Sequence, residues 1–392
     1  MIAITNGKIV TPDAVVEDKV VVLDQDRIAG FVDSIADAPA DSRVVNAYGR
    51  YIIPGIIDTH SDKIEHFIQP RPTSQLDFEF ALKVCERDLL GAGITMMYHS
   101  VSLFKDEIFG KNPLRTRENV LKIADLISCV HLRDHLVHHR FHLRLEIDNL
   151  EAYDIVKELI DQGKVHQISF MDHTPGQGQY RDLEVYHQAL VGYDGGDYER
   201  LGFEGVLAHH QNKDVLSLDQ LKELTEYAHA HNIPVASHDD DTREKVDLNT
   251  GLGVDISEFP ITLDTAQYAK EQGHATVIGA PNVLRGNSHS GNLSAAEAIL
   301  EDCADIICSD YYPAAILHSV FLMHTKHGVG LPEVVKKATL NPARAMRIDE
   351  DYGSIEIGKK GDLLIVEMLD GYPVITHVFI DGKPTSRVEY RR

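Results

Sequence analysis

Three runs of this sequence place imidazoles and carboxylates where an apolar stretch ends. Pro54-Gly55-Ile56-Ile57-Asp58-Thr59-His60-Ser61-Asp62 passes from apolar residues into an H-x-D pair. Residues two apart on an extended strand project from the same face, so His60 and Asp62 can address one point. Ile233-Pro234-Val235-Ala236-Ser237-His238 runs into Asp239-Asp240-Asp241, and Asp305-Ile306-Ile307-Cys308-Ser309 runs into Asp310. Imidazole and carboxylate together suit a borderline divalent cation such as Zn²⁺. A carboxylate beside such an ion can ligate it and accept a proton from the attacking water. Each run also has a plainer reading: a hydrogen-bonded loop histidine at His60, a solvated acidic helix start at Asp240 and Asp241, and a helix cap at Asp310.

Along His142-Leu143-Arg144-Leu145-Glu146-Ile147-Asp148 the polar residues alternate with apolar ones and share one face. Four buried polar groups need partners, because leaving them unpaired is costly. Either Arg144 pairs with Glu146, or Glu146 serves as a metal ligand. Met171-Asp172-His173 ends another apolar run and opens the glycine-rich Thr174-Pro175-Gly176-Gln177-Gly178 loop. Such a loop can present N–H groups to an anion, but no Gly-Lys-Ser/Thr follows, so it is not a Walker loop. Basic residues stand in the same kind of connecting segment. Lys63, Arg71, Lys105, Arg144 and Arg181 are candidates for holding phosphate, and Arg71 sits between Pro70 and Pro72 on a stiffened backbone. His289, in the small polar loop 286–292, is a further substrate-binding candidate.

These residues need elements that bring them together. Strand candidates are Tyr51–Thr59, Ile94–Ser100, His138–Asp148, Val165–Asp172, Ile233–His238, Val254–Phe259, Ala275–Ala280 and Asp305–Ser309. Helical stretches lie between most of them: Asp77–Gly91, Thr116–Leu132, Glu151–Gln162, Leu218–His231, Thr262–Gln272 and Ala295–Glu301. Strands alternating with helices predict a parallel sheet, and eight such units predict an α/β fold of the (β/α)8, TIM-like barrel type over residues 53–347. Barrel chemistry sits at the carboxyl ends of the strands, where the His, Asp and Glu residues fall. Both chain ends read as short strands separated by turn signals, among them Asn6-Gly7 and Asp381-Gly382. One small β-sandwich domain built from residues 1–52 with 348–392 accounts for this.

The chain has 392 residues, 38 Lys+Arg against 61 Asp+Glu, and a formal charge of −23. That balance argues against nucleic acid and anionic membrane surfaces as partners. It leaves room for a small anionic substrate held by local basic groups. No apolar run approaches the ~18 residues of a membrane span, and MIAITNGKIV lacks the pattern of a secretory signal. Four widely spaced cysteines without a CxxC fit a reducing, cytoplasmic setting. The 22 histidines, more than the 15 Tyr or 12 Phe, favour metal binding or acid–base chemistry.

Asn6-Gly7-Lys8-Ile9-Val10, Pro54-Gly55-Ile56-Ile57-Asp58-Thr59-His60, Thr339-Leu340-Asn341-Pro342-Ala343 and Gly358-Lys359-Lys360-Gly361-Asp362-Leu363 together resemble the amidohydrolase superfamily. Longer motifs resemble a phosphonate-catabolic subgroup of it: His60-Ser61-Asp62-Lys63-Ile64-Glu65, Gln69-Pro70-Arg71-Pro72, Ser237-His238-Asp239-Asp240-Asp241-Thr242 and Ser309-Asp310-Tyr311-Tyr312-Pro313. The resemblance implies a divalent cofactor, zinc with manganese as the alternative, bound as one ion or two. By the same resemblance, His60, Asp62, Glu146, His173, His238 and Asp310 are the expected ligands, and Asp310 and His238 the catalytic groups. Asp62 stands where a second histidine is usual, and Ser257-Glu258-Phe259 where a sixth-strand histidine is usual. The implied reaction removes diphosphate from a ribose phosphonate bearing a 5-triphosphate. Alternatives are a C–N hydrolase, such as a cyclic amidase or deaminase, and a catalytically silent barrel. The expected partner is a small, anionic, nucleotide-like molecule, with a homo-oligomer open beside the monomer.

Overall fold

Short apolar runs form the centre of the molecule because they are buried on both faces, as parallel strands must be. The computed structural model describes residues 1–104, 113–174, 213–286 and 293–391, with Gly178, Leu183, Glu184, His187, residues 202–205 and Ala208. Barrel strands 1 to 8 are Ile56–Ser61, Ile94–Leu103, His138–Glu146, Gln167–Met171, Val235–His238, Ile256–Glu258, Ala275–Gly279 and Ile306–Cys308. They pair in that order, all parallel. The circle closes between its ends: the Asp310 N–H donates to His60 O and the Asp62 N–H to Asp310 O, both at 3.0 Å. Closure therefore runs through three of the residues singled out for chemistry.

The run Tyr51–Thr59 is two strands. Tyr51–Pro54 joins an outer sheet, and Ile56 begins the barrel. Gly55 stands at the change, and a Cβ there would lie 2.2 Å from Thr95 Oγ1. Only a glycine allows strand 2 to approach so closely. Helices Phe78–Ala92, Arg117–Val130, Ala152–Asp161, Leu218–Ala230, Leu263–Glu271 and Ala295–Leu300 cover the barrel within a residue or two of expectation. The apolar faces of all of these but Leu263–Glu271 meet the outward side chains of the strands in one cluster. Inside, Met96, Tyr98, Ala236, Ile256, Val277 and Ile306 fill the lower barrel and Met346 packs beneath them.

The chain ends build two sheets. One orders Arg27–Val32, Val20–Asp24, Ile2–Thr5 and Arg43–Asn46; the other Lys383–Arg387, Tyr372–Ile380, Leu363–Leu369, Tyr51–Pro54, Lys8–Val10 and Val15–Val16. Ile4, Leu23 and Ile28 of the first pack with Ile52, Leu363 and Phe379 of the second, which gives a sandwich. Asp381 and Gly382 turn the last hairpin with φ of 47° and 68°, the type I′ geometry that Asp-Gly favours. Among the described residues no helix is long and apolar enough to cross a membrane.

Candidate functional site

Above its apolar floor the barrel interior turns polar. His60 is the last residue but one of strand 1, His238 ends strand 5 and Glu258 ends strand 6. One nitrogen of each histidine and one oxygen of Glu258 lie within 4.8 Å of one another. Glu258 is fully buried, and its carboxylate is held by Gln167 Nε2, which donates to Oε1 at 2.9 Å, and Ser169 Oγ, which donates to Oε2 at 2.6 Å. Those donors fix the direction of the carboxylate from strand 4. His142 brings strand 3 into the shell, its Nδ1 bonded to Thr59 O at 3.0 Å.

The group fits a divalent ion. His60 Nδ1 lies 3.1 Å from Glu258 Oε1, yet it is buried without a hydrogen bond, and His238 Nδ1 faces Asp239 Oδ2 at 3.0 Å. Donors at ~2.0–2.2 Å from a tetrahedral Zn²⁺ stand about 3.3–3.6 Å apart, and the His60–Glu258 separation falls just short of that range. Burial drives the His60 imidazole well below its usual pKa, with Arg144 next in effect, so it is neutral and able to ligate.

Asp310 follows strand 8 in the left-handed region, φ 59°, as does Asp239 after strand 5, φ 54°. Strained non-glycine residues at strand ends are a mark of functional sites. Burial, and then Asp62, raise the Asp310 carboxyl to about 6, while Arg144 pulls it down. At neutral pH Asp310 is ionised yet basic enough to accept a proton. Glu146 and His173 face each other at 2.8 Å, His173 Nδ1 to Glu146 Oε2. Burial alone would lower His173, but Glu146 outweighs it and the imidazole is raised; Glu146 is lowered by His173 against its own burial. Glu146 therefore pairs with His173 and not with Arg144. Its second oxygen, Oε1, is buried without a partner.

The remaining expectations separate. Arg144 lies in the mouth, and its Nε has no hydrogen-bond partner. Asp62 Oδ2 faces Arg115 Nη2 at 3.7 Å, and Arg115 in turn grips both oxygens of Glu65 at 2.9 and 3.1 Å. Lys63 reaches outward to Asp88, 3.8 Å away. Arg71 is exposed in a turn bridged to Ser74. Lys105, Arg181 and His289 lie outside the described residues. Asp240 is not a solvated helix start: it is fully buried and accepts from Ser237, Ser257 and Asn249 at 2.6, 2.6 and 2.8 Å. The cap of the following helix is Thr242, whose side chain accepts from the Lys245 N–H at 3.2 Å. Sequence reasoning left Glu258 out of the ligand set because a histidine is usual there; its place at the end of an apolar strand was the available signal.

The Amidohydrolase family profile matches residues 214–385. The α-D-ribose 1-methylphosphonate 5-triphosphate diphosphatase of Escherichia coli (strain K12) is 31% identical over 388 residues, 97% of this chain and 99% of that protein. An imidazolonepropionase of Micrococcus luteus is 23% identical, covering 96% of this chain and 94% of its own length. Among solved structures, an enamidase superposes with a TM-score of 0.65 at 16% identity, covering 98% of this chain and 96% of that one. N-acetylglucosamine-6-phosphate deacetylase from Pasteurella multocida gives 0.63 at 13%, with 98% and 99% covered. At these identities the two structures speak for the fold alone.

Proposed function

Because the chain belongs to the amidohydrolase family, we propose that it is a metal-dependent diphosphatase. The substrate is α-D-ribose 1-methylphosphonate 5-triphosphate, cleaved by water to diphosphate and the 5-phosphate. The observation that carries this reading is the 31% identity sustained over nearly the full length of both chains. His60, His238 and Glu258 would hold the ion, with Asp310 at its edge. When bound, a divalent ion supplies Lewis-acid polarisation and lowers the pKa of water from 15.7 towards ~7. Asp310 accepts the proton of the attacking water. The new bond forms between that oxygen and the α-phosphorus, and the bond from the α-phosphorus to the bridging oxygen of the diphosphate breaks. Arg144, whose guanidinium lowers the pKa of both His60 and Asp310, supplies positive charge where phosphoryl oxygens develop negative charge. Glu146 and His173 form a second acid–base pair within the same mouth. Their part is either a second ion or orientation of the substrate.

The full-length likeness to imidazolonepropionase at 23% favours a second reading, C–N bond hydrolysis. The two readings part in one experiment. Purified protein with Zn²⁺ or Mn²⁺ is given the ribose phosphonate triphosphate and followed by ³¹P NMR. Diphosphate and α-D-ribose 1-methylphosphonate 5-phosphate are expected, with release slower by about a hundredfold or more in Asp310→Asn. An unchanged triphosphate beside metal-loaded protein would turn the assignment to C–N substrates.

A further inference from the structure

A second convergence of ligand atoms lies at the other end of the barrel. His138 starts strand 3, eight residues before Glu146, which is about 26 Å along an extended strand from the mouth. Its imidazole faces Asp362, just before Leu363–Leu369, and Asp381, in the turn of the last hairpin. His138 Nε2 is 3.3 Å from Asp362 Oδ2 and 3.9 Å from Asp381 Oδ1. The three atoms lie within 4.8 Å of one another. All three are buried, and none makes a hydrogen bond. His138 and Asp362 are each only 7% exposed.

The separations suit a shared cation better than a closed ion pair. A charge-assisted N–H···O bond would close to about 2.7–2.9 Å with good alignment. Nitrogen and oxygen donors around a tetrahedral Zn²⁺ stand about 3.3–3.6 Å apart; His138 and Asp362 at 3.3 Å meet this, and His138 and Asp381 at 3.9 Å lie a little beyond it. The other Asp362 oxygen already accepts the Asp381 N–H at 2.8 Å, which aims Oδ2 at the shared point. Lys360 Nζ is 3.4 Å from Asp381 Oδ1, but it is hydrogen-bonded to Asp26 at 2.6 Å. With Lys360 paired to Asp26, the Asp362 and Asp381 carboxylates carry two negative charges that a divalent cation would balance.

We propose that His138, Asp362 and Asp381 form a structural divalent-cation site of the zinc type, separate from the mouth, that ties the barrel floor to the terminal β-sandwich. Water completes its coordination. The Gly55 N–H donates to Asp362 O at 2.8 Å, so the site braces strand 1 as well as strand 3. Ligands from two segments more than two hundred residues apart, strand 3 and the last hairpins, meet only in the folded chain, so binding there stabilises folding.

The test uses the full chain in two backgrounds, wild type and His60→Ala/His238→Ala. Each is stripped with chelator, reloaded with Zn²⁺ and analysed by ICP-MS, with and without Asp381→Asn. Asp381→Asn is expected to remove one equivalent of metal in both backgrounds. Zn²⁺ should also raise the melting temperature of the mouth variant and fail to do so once Asp381→Asn is added. His138→Gln, checked by circular dichroism for native structure, should repeat both effects. Equal metal content with and without either substitution would overturn the site.

Discussion

At the residue scale, the mouth works by side chains that hold one another in place. Glu258 can serve as a ligand because Gln167 and Ser169 saturate its outer lone pairs and leave the inner ones to face His60. Removing a group that orients a ligand typically costs 10–100-fold in metal affinity. Gln167→Ala is therefore expected to weaken metal binding by roughly 10–100-fold while the fold survives, and Glu258→Gln to weaken it further. Competition with a chromogenic chelator measures both. Native affinity in Glu258→Gln would remove Glu258 from the ligand set.

At the element scale, the barrel depends on close approaches at its seams. Strand 1 leaves the outer sheet at Gly55, where any Cβ would collide with Thr95. Gly55→Ala is expected to destabilise the protein by about 1–3 kcal/mol, as overpacking of a filled site does. Thr95→Ala in the same chain should recover part of the loss, since it removes the Oγ1 and Cγ2 atoms in the way. A double-mutant cycle in guanidinium checks this, and purely additive effects would mean that Gly55 matters for another reason. Six of the helices are legible from their apolar period; Lys63–Ile68, Arg243–Leu252 and Ala315–His327 are among those not expected from the sequence. In Arg243–Leu252 only Val246, Asn249 and Leu252 are buried. A polar helix of ten residues carries little periodic signal, and its neighbours rather than its pattern keep it in place.

At the scale of the whole molecule, the many histidines set the response to acid. Burial holds His99 and His139 below their usual pKa, His131 near about 4 and His166 near about 3. The Nδ1 of His166 accepts the Phe141 N–H at 3.1 Å, which a protonated ring could not do. The folded pKa values lie below the unfolded value of about 6.5, so only the unfolded chain takes up these protons as pH falls. The stability they support is complete above about pH 6.5 and is lost between there and about pH 3–4. Asp58, Glu65 and Asp310, all raised chiefly by burial, act in the opposite sense, Asp58 to about 7 and Asp310 to about 6. The more numerous histidines prevail. Denaturation midpoints should hold steady above pH 7 and fall steadily from pH 6.5 to 4.5, less steeply in His166→Gln. A flat profile over that range would contradict this balance.

Alternation of apolar strands and amphipathic helices, visible in the chain itself, was sufficient for the barrel and for the placement of His60, His238 and Asp310 at strand ends. Side-chain period and strand direction are local properties, and local properties can be read along a sequence. Which strand ends share a centre depends on closure and stagger, which are not local. Only the folded barrel sets Glu258 against His60, pairs Glu146 with His173, and buries Asp240 among Ser237, Asn249 and Ser257. The same holds for His138, which meets Asp362 and Asp381 across more than two hundred residues of intervening chain. No pattern within one segment encodes that meeting; packing of the terminal sandwich against the barrel floor produces it.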